Sequence, residues 1–287
     1  MTPPPAILTV LSGALEERWL VFEKLFQAVR QKQTTNRVHD LRIAVRRLIA
    51  ALSLAEELNS NRAVHRLRRR LRGLLKSAGS LRDVQVMQRL LREMQVGDEP
   101  LPGSRRLARS ERSFRVELRR RSRGLRLGRL RRDLRLVKSG ISAREKSDLA
   151  REPSSTLLRV VDRLFGAVVD ARRLLDTSDA ATIHAMRVAF KKYRYALEVV
   201  GPSVATLTPE RLGLMQAFQT TMGELHDLDV IGRFLSDRRP RQGDRGRALR
   251  SAMDLVAESL LAQTAAFAAM ADDIFRFRVV PGSWPDV

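Results

Sequence analysis

Apolar residues recur along this chain at intervals of three and four, and no segment alternates with period two. With β-branched runs also scarce, the pattern predicts helices throughout, about ten of them. The first spans about Ala6 to Gln31, with Leu8, Leu11, Leu15, Leu20, Phe22, Leu25 and Val29 as core candidates. Asn36 is the expected cap of a second helix running to about Leu58. A third covers Arg62 to Ser77 and buries Val64, Leu67, Leu71 and Leu74; Gly79 is expected to close it. Ser80 to Asp83 then reads as a capping box for a helix over about 81–95. A very basic segment, Ser104 to Lys138, has Phe114, Leu118, Leu125, Leu130 and Leu134 to bury. Residues 139–154 carry the Gly, Ser and Pro punctuation of a linker. Amphipathic helices resume at Thr156 to Leu175, Ile183 to Leu197, Thr208 to Met222 and Arg245 to Phe277.

One helix is written twice. In V-H-D-L-R-I-A-V-R-R-L-I-A-A-L (Val38 to Leu52), a helical winding gathers Leu41, Val45, Leu48 and Leu52 into one apolar stripe. His39, Arg42 and Arg46 climb about 10 Å of the opposite side. In I-H-A-M-R-V-A-F-K-K-Y-R-Y-A-L (Ile183 to Leu197), His184, Arg187 and Lys191 stand 145 positions later in the same places. Met186, Phe190, Tyr193 and Leu197 form the second stripe. A further block, G-S-L-R-D-V-Q-V at 79–86, is echoed by G-E-L-H-D-L-D-V at 223–230, 144 positions on. Two blocks at nearly one offset predict an internal repeat, with halves of about 6–138 and 155–280.

The halves differ. His65, Arg69, Arg72 and Lys76 make a second cationic stripe in the first half. Their counterparts are Pro209, Gly213, Gln216 and Thr220, so the second half lacks that face. It has Arg194 where the first half has Ile49.

Charge sharpens the picture. The chain carries 54 Lys and Arg against 32 Asp and Glu, a net of +22. Residues 1–150 hold 35 of the basic and 15 of the acidic residues, so almost all of the excess lies in the first half. Such self-repulsion implies an anionic partner: nucleic acid, an anionic membrane or an inorganic polyanion. The chain has no Cys, no H-x-x-x-H spacing and no clustered carboxylates, so neither metal nor cofactor is expected. No apolar run reaches the length of a membrane span and the N-terminus lacks signal-peptide character, which points to the cytoplasm.

Like charges three and four apart repel by a few tenths of a kcal/mol per pair. A bound anion would offset that cost on the helix carrying Arg42, Arg46 and Arg47, and on that carrying Arg187, Lys191 and Arg194. Arginine adds a fork of donors suited to phosphate oxygens. The fifteen basic residues from Arg105 to Lys138 point all round their helix and are expected to be mostly solvated. Asp83 and Asp227 are expected to be structural caps with a second role in holding a groove arginine. Nothing pairs a nucleophile with a base, two carboxylates, or a glycine-rich loop with a helix, so no enzyme is expected.

The doubled H-x-x-R-x-x-x-[RK]-[RK] helix, each copy followed by G-x-L-x-D-x-x-V, resembles the CHAD family, the conserved-histidine α-helical domains. The resemblance spans residues 6–280 and implies a single all-α domain. It further implies two pseudo-twofold-related helical bundles around a basic central groove that binds inorganic polyphosphate. With the cationic stripes read from spacing, the expected polyphosphate-binding residues are His39, Arg42, Arg46, Arg47, His65, Arg69, Arg72, Lys76, His184, Arg187, Lys191 and Arg194. The resemblance is compatible with location on polyphosphate granules. A duplex nucleic-acid binder and an adaptor docking on acidic partners are the alternative readings.

Overall fold

The structure, a computed structural model, describes residues 7–94, 103–145, 151–201, 207–238 and 243–279. Every element among them is helical: α1 (Ile7–Gln31), α2 (Thr35–Leu58), α3 (Arg62–Glu93), α4 (Ser104–Gly124), α5 (Leu127–Glu145), α6 (Arg151–Arg173), α7 (Ala180–Val200), α8 (Pro209–Ser236), α9 (Asp244–Met270) and a 3₁₀ helix at Ala271–Phe277.

Local chemistry sets the starts. Thr34, rather than the expected Asn36, caps α2 by accepting from the Arg37 amide at 3.3 Å. Asn61 Oδ1 accepts from Ala63 and Val64 at the head of α3, at 2.9 and 3.0 Å. Asp179 caps α7 through the Ala181 amide, and Thr208 with Pro209 opens α8. The apolar stripes then decide what each helix buries. Leu41, Val45, Leu48 and Leu52 of α2 are fully buried, as are Met186, Phe190 and Leu197 of α7. Tyr193 is buried with them, donating to the Phe277 carbonyl at 2.8 Å. In α1, Trp19 and Phe26 join the core, whereas Leu20 is exposed. One continuous core contains side chains from α1, α2, α3, α5, α6, α7 and α8. Both halves of the sequence therefore fold onto each other, with α2 packed along α7 and α3 reaching α8.

Three boundaries differ from the sequence expectation. Gly79 does not end a helix: α3 runs unbroken to Glu93, and α8 likewise runs through Gly223. Burial of Ala78, Leu81 and Val84 on the helical period outweighs the glycine's poor propensity, which costs only about 1 kcal/mol. Asp83 and Asp227 are thus mid-helix residues and not caps. The basic segment breaks at Leu125, whose amide bonds the Ser122 carbonyl, giving α4 and α5. The expected linker 139–154 is mostly helix, since α5 continues to Glu145 and α6 starts at Arg151.

Candidate polyanion groove

The packing of α2 along α7 brings the two copies of the repeated helix together. Arg42 lies against α3, where its Nη1 donates to Asp83 Oδ1 at 3.1 Å and to the Gly79 carbonyl at 3.4 Å. Arg187 lies over Gly223 of α8, its Nη2 3.6 Å from where a Cβ would stand. Arg42 thus meets the first motif glycine through its carbonyl, and Arg187 meets the second in van der Waals contact.

The cations of the two helices feel one another. Lys191 is pushed down from 10.5 to about 7, first by burial and then by Arg46, Arg187, Arg42 and Arg194. Burial also lowers Arg46 and Arg187; Arg46 is lowered further by Arg42 on its own helix and by Arg187 across the pair, and Arg187 by Arg42 across the pair. Among the described residues, the charges countering them are Asp83, two-thirds exposed, and Asp227. Burial holds the Asp227 carboxyl above its usual range, against the pull of Arg187 and Arg82. The Nε atoms of both Arg42 and Arg187 are buried without a hydrogen-bond partner.

Histidines mark one end. His184 stacks on His226 of α8, ring centroids 4.9 Å apart at 43°. His39 senses Arg82 of α3 after burial, its main perturbation. All three histidines are held below the ordinary imidazole value by burial and then by neighbouring cations. Tyr195, buried, borders Arg46 and Arg187.

The structure thus gathers His39, Arg42, Arg46, His184, Arg187 and Lys191. It adds Arg82, Arg89 and His226, which spacing arguments had passed over. Their signal was present: Arg82 and His226 occupy the same slot, just before the aspartate, in the two G-x-L-x-D blocks.

The remaining nominated residues lie elsewhere. Arg47 faces α1 and α7, with its Nε 2.8 Å from Glu198 Oε2. Arg194 is only 5% exposed; it donates to Glu198 Oε1 at 2.6 Å and Gln219 Oε1 at 3.0 Å, 4.8 Å over the Tyr195 ring. Glu198 therefore neutralises two cations that the sequence offered to the groove. The two line a separate cavity of about 700 Å³ with Arg18 and with Pro209, Gly213 and Gln216, the face that lost its charges. His65 is held by Glu56 at 2.7 Å and Ser60 at 3.0 Å. Arg69, Arg72 and Lys76 are exposed. Positions 72, 76, 79 and 83 share one helical stripe, so Arg72 and Lys76 extend the surface of α3 that receives Arg42.

An all-helical protein in which two cationic helices face each other across a shared core is the class this geometry defines. The sequence pattern of the CHAD domain matches residues 13–236, and the chain belongs to the CHAD family. Among solved structures it is similar to the CHAD domain from the plant Ricinus communis, with a TM-score of 0.66, 21% identity, and coverage of 98% of this chain and 96% of that one. It is also similar to PptA from Streptomyces chartreusis, with a TM-score of 0.64, 18% identity, and coverage of 95% and 100%. No curated protein matches it. No helix among the described residues is long and apolar enough to cross a membrane, and none of their His, Asp and Glu side chains cluster as a metal site.

Proposed function

We propose that the protein binds inorganic polyphosphate, without chemistry on it, in the groove between α2 and α7. The observation that carries this reading is the meeting of Arg42 and Arg46 with Arg187 and Lys191, where burial first and these arginines second push Lys191 to about 7. Free protein holds these charges together at a cost in mutual repulsion and desolvation. A chain of phosphates would offset both, meeting arginine forks with charge-assisted hydrogen bonds of about 1.5–3 kcal/mol each. The Nε donors of Arg42 and Arg187 have no partner in the free protein.

The repeat gives the groove two walls, one from each half, consistent with a pseudo-twofold arrangement over residues 6–280. Arg72, Lys76 and Arg69 continue the first wall, so a long polyanion would contact more of the first half than the second. Arg47 and Arg194 serve the frame, by fixing α2 to α7 through Glu198. Bases favour aromatic platforms, and the ring bordering the groove, Tyr195, is 6% exposed, which supports a phosphate chain over a single strand.

The test is competition at fixed ionic strength, with labelled polyphosphate displaced by unlabelled polyphosphate, duplex DNA, single-stranded RNA or heparin. Polyphosphate as the best competitor by at least an order of magnitude per charge is the expected result. Duplex DNA as the better competitor would assign the groove to nucleic acid, and equal competition by all four would favour a general acidic-surface adaptor.

A further inference from the structure

A second cleft, of about 560 Å³, opens where α4 gives way to α5. Gln27, Arg30 and Gln31 of α1 face Arg119, Ser122 and Arg123 of α4, and Leu127 begins α5 beside them. None of these residues belongs to the groove. No carboxylate is among them, and Arg30, Arg119 and Arg123 make no ion pair among the described residues.

The bland explanation is that arginines gather here to neutralise the carbonyl end of α1. Of the last four carbonyls of α1, that of Ala28 is already served, by Arg37 Nη1 at 3.1 Å and the Lys32 amide at 3.0 Å, and just beyond the helix Arg115 Nη1 takes the Gln33 carbonyl at 2.5 Å; Arg30, Arg119 and Arg123 donate to none of them. Arg30 instead rests 6.0 Å over the Phe26 ring. Arg119 and Arg123, four apart on one helix, repel without compensation.

Ser122 is the second observation. It is 1% exposed, and its hydroxyl has no hydrogen-bond partner. A helical serine ordinarily returns its proton to the carbonyl four residues back; Ser53 and Ser77 do so here. Ser122 does not, so its donor is unspent beside the cleft. The N-terminal amides of α5, with no acidic residue in its first turn, add a positive end.

We infer that this cleft is a second oxyanion site, independent of the groove, and that its ligand is a short inorganic oligophosphate such as pyrophosphate or tripolyphosphate. Three guanidinium groups, the Gln27 and Gln31 amides and a hydroxyl match an anion of several oxygens, and a cleft of this size takes a short chain whole. No aromatic ring lines the cleft to stack a base, which favours the inorganic ligand over a nucleotide.

Arginine labelling of the full chain tests this. Phenylglyoxal modification would be mapped by mass spectrometry with and without tripolyphosphate, in the wild type and in the R42Q/R187Q groove variant. Arg30, Arg119 and Arg123 should lose labelling together as tripolyphosphate is added, in both proteins, while exposed Arg105 and Arg109 of the same α4 stay labelled. Replacing Arg119 and Arg123 with glutamine should abolish protection of Arg30 and leave Arg187 protected. Uniform protection of Arg105 and Arg109 with the cleft residues would reduce the site to general surface charge. Loss of cleft protection in R42Q/R187Q would show it to be part of the groove. Better protection by ATP than by tripolyphosphate would overturn the ligand class. Failure of the groove assignment itself would leave the cleft result standing, since the two are read on different arginines.

Discussion

Lys191 should make polyphosphate binding take up a proton. In the free protein its ammonium sits at about 7 instead of 10.5, because it is buried among Arg46, Arg187, Arg42 and Arg194. At pH 8 only about a tenth of the molecules carry that charge. A phosphate placed in the groove reverses the balance, since an opposite charge within a few ångströms favours the ammonium. Binding at pH 8 should therefore absorb about one proton, and affinity should fall by up to about tenfold per pH unit above 7. His39, His184 and His226, already lowered, are neutral at that pH in the free protein. Calorimetry in two buffers of different ionisation enthalpy measures the uptake directly. Lys191→Met should remove it and flatten the pH profile between 7 and 9. An uptake unchanged in that variant, or absent in the wild type, would mean that the lysine does not face the bound anion.

The same group links pH to the stability of the free protein. Its folded value lies below its unfolded one, so between about pH 7 and 10.5 the unfolded chain holds more protons and stability should rise with pH; the penalty is fully present below 7. Thermal melts should accordingly show K191M more stable than wild type at pH 7, with the gap closing towards pH 10. Glu198 is the reverse case: Glu198→Gln would leave Arg194 buried without its carboxylate, and denaturant unfolding should show a loss of about 3–5 kcal/mol. Salt titration should give a log–log slope of about −3.5 for five groove cations (Arg42, Arg46, Arg82, Arg187 and Lys191) counted at the single-strand coefficient, and a flat response between roughly 50 and 200 mM would contradict an electrostatic groove.

How far the sequence revealed the fold varied with the physics involved. Helical periodicity exposed the core faces of α2 and α7, because burial repeats every three to four residues whatever the context. It misjudged Gly79, where tertiary burial on both sides overrides a local stop signal. The meeting of the two cationic helices was legible in His39, Arg42, Arg46, His184, Arg187 and Lys191, because the 145-residue offset places them in equivalent slots. Arg47 and Arg194 carry the same charge in the same motif, yet both are spoken for by Glu198. The pair with Arg47 spans 151 positions and leaves no local trace, whereas Arg194 and Glu198 stand four apart on α7, a spacing the sequence displayed. Arg131 teaches the same lesson within the basic segment. Its charge is taken by Glu16 and Glu23, at 2.8 and 3.2 Å, and it lies over Trp19, while Arg132 and Arg135 are exposed.

That contrast supplies the control for the central claim, that a groove and not net charge holds the polyanion. R42Q/R187Q and R132Q/R135Q each remove two positive charges from the protein, the first pair from the facing helices and the second from the outside of α5. Affinity for polyphosphate should be measured for both at one ionic strength, with folding confirmed by circular dichroism. R42Q/R187Q should bind at least tenfold more weakly than wild type, a loss of about 1.4 kcal/mol or more, while R132Q/R135Q stays near the wild-type value. Equal losses in the two folded variants would contradict the groove.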